Sequence, residues 1–461
     1  MKEMSLLMNS RKYFIFFFSL MGIFWSIFSY AGAITVTTTA DEAGTNSVAC
    51  SLREAIQTAN NGSNFGGCTL NSDGNANITI TLSAHTDAST PYRLNLGSED
   101  DTNASGDLDI TSTNSVTIDS NDADLTVIDG NGNTRVFDIF RPAIVFIYRV
   151  TIKNGNNTSE EPSGLRVATG ASLDLERSIV TNNTGGGIAN SGALTLKNMM
   201  IRGNQGRGIQ NNSGGSGALT NVTIAENTAQ TTGWGGGITN VGFLELVNVT
   251  ISGNTVGGTA GLVSPDRGSG GGIFNGTSAN MNIRHGTIVN NTSQVDGAGI
   301  YNLGTITLKN SILSNNRLTS SEAKNCDSSL GTTSRNYNIS SDTTCSSFLV
   351  GTGDRNSTDP LLASLASNGA IPYTHALNTG SPAKDAIPVL DDTTCASTDA
   401  RGITRPQPPG NNCDIGAFEV SSTDTGTGGS SGTGGTGGSG SSSTSGCSLI
   451  SSALRTLDKQ L

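Results

Sequence analysis

Acidic residues gather in the first third of the chain, in Glu99-Asp100-Asp101, in Asp107 with Asp109, and in Asp119 with Asp122 and Asp124. Carboxylate oxygens in such number suit a hard cation such as calcium, and Asp107, Asp109, Asp122 and Asp124 are the candidate ligands. Their spacing matches no defined calcium loop, and aspartate is also an ordinary turn residue. Cleavage of a glycosidic bond needs two carboxyls facing one another across a groove. Nothing in the linear order fixes which acids converge, and no catalytic residue is assigned. His85, His285 and His375 are scattered, with no Cys or Ser motif to make a nucleophile. Trp234 stands among glycines, and Pro265-Asp266-Arg267 lies in the longest insertion, 256–272. Insertions in a repeat array project from one face, so Trp234, Asp266 and Arg267 are the candidate ligand contacts, the tryptophan by stacking on a sugar ring.

Seven cysteines fall as three local pairs and one remainder: Cys50 with Cys68, Cys326 with Cys345, Cys395 with Cys413, and Cys447. In an exported chain these pairs read as three disulfides pinning the two ends, although the sequence alone permits other connectivities. A zinc site needs thiolates at short spacing such as C-x-x-C, and the sequence has none. Cys447 is a candidate for modification or intermolecular pairing, against the alternative of an idle exposed thiol.

A repeat must position these residues. Gly185-Gly-Gly-Ile188 leads to Leu194-Thr-Leu196-Lys-Asn198. Gly235-Gly-Gly-Ile238 leads to Leu244-Glu-Leu246-Val-Asn248, and Gly299-Ile300-Tyr-Asn302 leads to Ile306-Thr-Leu308-Lys-Asn310. Aligning the apolar residue that closes each unit gives Ile152, Ile179, Ile201, Ile224, Ile251, Ile288 and Ile312, with steps of 27, 22, 23, 27, 37 and 24. This is a solenoid period. Alternation of Leu194 and Leu196 with polar neighbours gives strands with one face inward, each too short to bury a core alone. Asn182, Asn204, Asn227, Asn254, Asn291 and Asn315 each follow the closing isoleucine by three positions. Stacked at one corner, they are expected to form an amide ladder.

With 60 glycines and 5% aromatic content the composition would look disordered, yet glycines recur at fixed places before apolar strands, so periodicity outweighs it. A net charge of −11 without a basic stripe argues against nucleic acid as a partner. Lys2, Arg11 and Lys12, an apolar run from Tyr13, and Ala31-Gly-Ala33 read as a signal peptide at 1–33, leaving a mature chain from Ile34 that does not span a membrane. Ser51 to Asn60 reads as a short helix, capped by Ser51 with Glu54 three residues on, covering the open end of the solenoid.

Val36-Thr-Thr-Thr-Ala-Asp41-Glu followed by Cys50-Ser-Leu-Arg-Glu-Ala55 resembles the CSLREA domain that opens many bacterial secreted right-handed parallel β-helix proteins. Gly106-Asp-Leu-Asp-Ile110 is similar to the coils that follow it there, and the glycine-led repeats are similar to those of polymorphic outer membrane proteins and the pectin-lyase-like superfold. Asp359-Pro-Leu-Leu362, Asp399-Ala-Arg-Gly402 with Arg405-Pro406, and Asp414-Ile-Gly-Ala-Phe-Glu419 resemble the choice-of-anchor Q domain. The superfold resemblance implies one further activity, cleavage of acidic polysaccharide in a lateral groove lined with carboxylates, basic residues and often calcium.

The expected architecture is an all-β, single-stranded right-handed parallel β-helix with a short N-terminal capping helix. Its divisions are a signal peptide (1–33), a CSLREA-like cap (34–70), β-helix repeats (71–320), C-terminal coils with the choice-of-anchor-like region (321–420), a Gly/Ser/Thr linker (421–446) and a tail (447–461). The tail resembles the beginning of a surface-sorting signal but lacks its hydrophobic span. The expected function is non-catalytic adhesion or display at the bacterial surface or outside the cell, through contact with polysaccharide or a host or cell-surface protein. No cofactor is expected beyond calcium. The alternatives are a polysaccharide lyase or hydrolase, favoured if acids and an arginine from three consecutive coils converge, and a passive envelope scaffold.

Overall fold

The computed structural model describes residues 32–71, 77–82, 89–97, 100–120, 126–157, 161–229, 233–257, 268–328, 331–369, 371–389, 394–422 and 424. Of the expected signal peptide, residues 1–31, and also His85, Asp122, Asp124, Asp266, Arg267, most of the expected linker and Cys447, lie outside the described residues.

Alternating apolar residues produce short strands, and the strands stack in parallel from coil to coil into a right-handed parallel β-helix. A nine-stranded sheet makes one face, and an 18-stranded sheet bends to make the other two. The bend is a single residue in the left-handed region. Arg149, Arg177, Asn198, Asn221, Asn248, His285 and Asn310 occupy it in successive coils with φ between 51° and 57°, a conformation asparagine tolerates better than most residues. In the three middle coils the chain runs through this corner as one strand, Ala193–Arg202, Ser216–Ala225 and Phe243–Ser252. Inside, Leu196, Leu219, Leu246, Ile283 and Leu308 stack against Ile188, Ile209, Ile238, Ile273 and Ile300, all buried in one continuous core.

The recurring glycine has a steric cause. A Cβ on Gly187 would sit 2.5 Å from the carbonyl oxygen of Gly208, on Gly208 2.7 Å from that of Gly237, and on Gly237 2.6 Å from that of Gly272. The coils approach through this column of bare backbone, and only glycine fits there.

The ladder exists, with a corrected membership. Nδ2 of Asn183 donates to Oδ1 of Asn204 at 2.9 Å, and the chain continues through Asn227, Asn254, Asn291 and Asn316 to Asn325 at 2.8–3.0 Å. Asn182 and Asn315 are not its rungs, because Ile179 and Ile312 are not the closing residues. Register pairs Val180 with Ile201 and Ile288 with Leu313. Ile179 and Ile312 instead belong to the outward column with Met200, Thr223, Thr250 and Thr287. That column is buried under the C-terminal region, so Ile-Val and Ile-Leu are apolar on both faces and periodicity cannot tell which residue points in. A second ladder, Asn190 to Asn211, Asn240, Asn275 and Asn302 at 2.7–2.8 Å, lines the opposite corner.

Both ends are closed. The helix runs Leu52–Asn61, with Ser51 and Glu54 forming a capping box and Gly62 in the left-handed conformation at its end. Arg53, buried, pairs with Asp41 at 2.7 Å and donates to the carbonyls of Ser105, Gly106 and Asp107, binding the cap to the first coils. At the other end Leu349 and Cys345, bonded to Cys326, cover the last coil. The remaining disulfides are Cys50–Cys68 and Cys395–Cys413. No helix among the described residues is long and apolar enough to cross a membrane.

Residues beyond 359 do not add coils. They turn back as a clasp along the bent sheet, beginning with the antiparallel pair Leu362–Ala366 and Thr374–Leu377. Asn248 and Asn310 donate from the corner to the carbonyls of Thr398 and Thr394, and the Ala417 amide donates to Thr287 Oγ1 at 2.9 Å. Two buried histidines seal the seam. His285 Nε2 accepts from the Ala396 amide at 3.2 Å, and His375 joins Ser252 Oγ at 2.9 Å to the Ala363 carbonyl at 2.7 Å. Burial holds both imidazoles neutral, lowering their pKa values, that of His285 strongly and with help from nearby Arg405 and Arg284.

Candidate functional site on the outer face of the nine-stranded sheet

The nine strands of this sheet are each three to five residues long, and the residue before the last of each points outward in a register-locked column. In order it reads Asp109, Asp138, Arg166, Ala189, Gln210, Thr239, Phe274, Tyr301 and Asp327. At about 4.8 Å per strand the column is roughly 38 Å long. Its chemistry changes from ionic at one end to aromatic at the other.

At the aromatic end Trp234, Phe274 and Tyr301 form a continuous stack, with ring centroids 5.4 and 5.8 Å apart and planes inclined by 30° and 14°. Beside it opens a cleft of about 410 Å³, lined by Arg207, Gln210, Asn212, Trp234, Thr239 and Phe274 among others. The polar wall is ordered internally. Arg207 donates to the Trp234 carbonyl at 3.0 Å and to Gln210 Oε1 at 2.9 Å, and Gln210 donates to Asn212 Oδ1 at 2.9 Å. Thr239 Oγ1 also donates to the Trp234 carbonyl, so the backbone that carries the indole is held from two strands. An apolar platform edged by guanidinium and amide groups matches a ligand with a flat apolar face and a hydroxyl rim. No carboxylate lines the cleft among the described residues.

At the ionic end Asp138 is bound by Arg135 at 2.8 Å and by both Nε, at 2.8 Å, and Nη2 of Arg166. Asp109 and Asp101 bring carboxylate oxygens within 4.8 Å of one another and of Asp138. Burial, then the charge of Asp107, pushes the Asp109 carboxyl up to about 8. Burial works to lower the Arg166 pKa, but its hydrogen bond and charge pairing with Asp138 raise it overall, so it remains a cation. Of the four expected ligands, Asp122 and Asp124 lie outside the described residues. Asp109 has Asp101 and Asp138 as neighbours, while Asp107 lies 3.9 Å from Arg135. Sequence reasoning missed Asp138, Gln210, Phe274 and Tyr301, although each is the middle residue of an apolar-x-apolar or apolar-x-Asn triplet, and that signal finds the whole column once the strands are stacked.

Two other concentrations of charge are structural. Arg405 and Glu419, each wholly buried, pair at 2.7 Å, and Arg405 also donates to the carbonyls of Asp414 and Gly416. Arg401 pairs with Asp399 at 2.9 Å. The choice-of-anchor-like wording is thus the clasp's internal lattice, as the CSLREA-like Ser51, Arg53 and Glu54 are the cap's.

No family model matches the chain, and no curated protein matches it. Among solved structures it is similar to one titled pectate lyase Pel9A, at 13% identity and a TM-score of 0.41, over 85% of this chain and 98% of that one. The assignment to the parallel β-helix class rests on the strand registers above.

Proposed function

We propose that this is an exported β-helix protein that acts outside the cell or at its surface by adhesion, holding a carbohydrate chain along the outer column without cleaving it. The observation that carries the reading is the Trp234–Phe274–Tyr301 stack beside the ordered Arg207–Gln210–Asn212 wall. Such a platform offers affinity through ring stacking and specificity through fixed donors and acceptors. The disulfides fit an oxidising compartment, and the resemblance to CSLREA and choice-of-anchor proteins points to the bacterial surface.

The test is a binding and cleavage screen of the full chain against neutral and acidic polysaccharides, with and without calcium. Binding that Trp234→Ala weakens on the order of tenfold or more, without release of new chain ends, supports the reading. A second reading, lyase or hydrolase, is favoured by one observation: Asp109, Asp138 and Arg166 from three consecutive coils do converge. Arg166 is engaged with Asp138 and stays charged, which suits it to binding an acidic chain better than to taking a proton. Release of unsaturated or reducing ends would establish this second reading. Silence in both assays would favour a passive scaffold.

A further inference from the structure

Three carboxylates from separate places in the chain meet where the cap, the loop at 100–107 and two successive coils join. Asp101 is exposed, while Asp109 and Asp138 are buried, and one oxygen of each lies within 4.8 Å of the others. That span equals the distance between opposite ligands of a cation bound at about 2.4 Å, within the calcium range. Once Asp109 is ionised the charges do not balance without one: Asp101, Asp107, Asp109 and Asp138 face Arg135 and Arg166, with Glu161 at the rim 3.6 Å from Arg135.

The second observation is an orphaned atom. Asp109 is wholly buried, and its Oδ2 accepts from the Asn103 amide at 2.8 Å, but its Oδ1 has no hydrogen-bond partner. A buried carboxylate oxygen without a donor is costly, and a metal ligand bond is one of the few ways to offset that cost. Asp138 retains coordinating capacity, since a carboxylate has about four lone-pair sites and its two arginines fill three of them. The exposed Asp101 side leaves room for water to complete the shell.

We infer that Asp101, Asp109 and Asp138 form a binding site for a hard divalent cation of the calcium class, which fastens the 100–107 loop and the capping helix to the first coils. The fastening follows from existing bonds. Asn103 ties the loop to the Arg53 carbonyl at 2.9 Å, and Asn60 of the helix donates to the Asp109 carbonyl at 2.7 Å. The site stands independently of carbohydrate binding at the other end of the column.

The test is calcium titration of the full chain, prepared in chelator, by calorimetry and thermal unfolding up to about 10 mM, which spans the affinities of extracellular calcium modules. The expected result is one calcium per chain and a rise in Tm with calcium. Asp101→Asn, a change at an exposed residue, weakens affinity on the order of tenfold by removing ligand charge. Asp109→Asn abolishes the response, yet without calcium it unfolds no earlier than the wild type, because burial already disfavours the charge that the amide removes. Absence of heat and of a Tm shift in the wild type overturns the inference. So does a calcium response that both variants keep.

Discussion

Replacing Asn254 by alanine tests whether the ladder, rather than the aliphatic core alone, holds the coils in register. Asn254 is wholly buried, and its Oδ1 accepts from both the amide and Nδ2 of Asn227, at 3.1 and 2.9 Å. Its Nδ2 donates to the Ile224 carbonyl and to Asn291 Oδ1, at 2.9 and 3.0 Å. Alanine leaves two Asn227 donors without an acceptor in a space closed to water. Each costs about 1–3 kcal/mol, so the loss is about 2–6 kcal/mol, a large fraction of a typical domain's stability. Urea unfolding followed by circular dichroism measures it. Asn227→Ala with Asn254→Ala is expected to cost less than the sum of the singles, because the shared bond is lost only once. Asn182→Gly is the control. Asn182 sits next to the ladder at φ 56°, which glycine accepts, and its change is expected to stay within about 0.5 kcal/mol. A loss below about 1 kcal/mol for Asn254→Ala, or an equal loss for Asn182→Gly, refutes the argument.

Gly237→Ala drives a methyl group to 2.6 Å from the Gly272 carbonyl oxygen, and unfolding is expected to show about 1–3 kcal/mol of destabilisation. The buried histidines make the clasp acid-sensitive. With folded pKa values lowered from 6.5, their contribution is full above pH 6.5 and is lost as pH falls below it toward the folded values. The limiting slope is about 1.4 kcal/mol per pH unit for each histidine. Proteolysis of the 360–420 region should therefore accelerate below pH 6.5, and His285→Asn, which installs the residue found at that corner in coils 198, 221, 248 and 310, should flatten the response. Trp234→Ala is expected to weaken carbohydrate binding on the order of tenfold or more while leaving the unfolding midpoint within about 2 °C, as calorimetry and thermal melts would show.

The repeat, the helix cap and the cysteine pairs were legible in the sequence because each is a local signal. The Ser51–Glu54 capping box is three residues apart, and the glycine before each strand marks a close approach imposed in every coil. The ladder was legible to within one residue. It slipped at Asn182 and Asn315 because Ile179 and Ile312 are buried on the outward column as well, and Ile312 packs with Ala383, Ile387 and Ile415 of the clasp, about seventy positions or more further along the chain. The acid cluster was seen only in part. Asp109 stood out beside Asp107, but Asp138 comes from the next coil and reaches Asp109 through strand register.

By itself the sequence determined that this chain coils. Period, alternation and glycine placement act between neighbouring residues and leave no other way to bury so many short apolar stretches. The tertiary structure decided what the coils display. Stacking at about 4.8 Å converts residues 27 to 40 positions apart into adjacent side chains, so Phe274 meets Tyr301 and Trp234, and Asp109 meets Asp138. Those distances are set by loop lengths that vary from coil to coil, and a function built across coils is readable only once they are aligned.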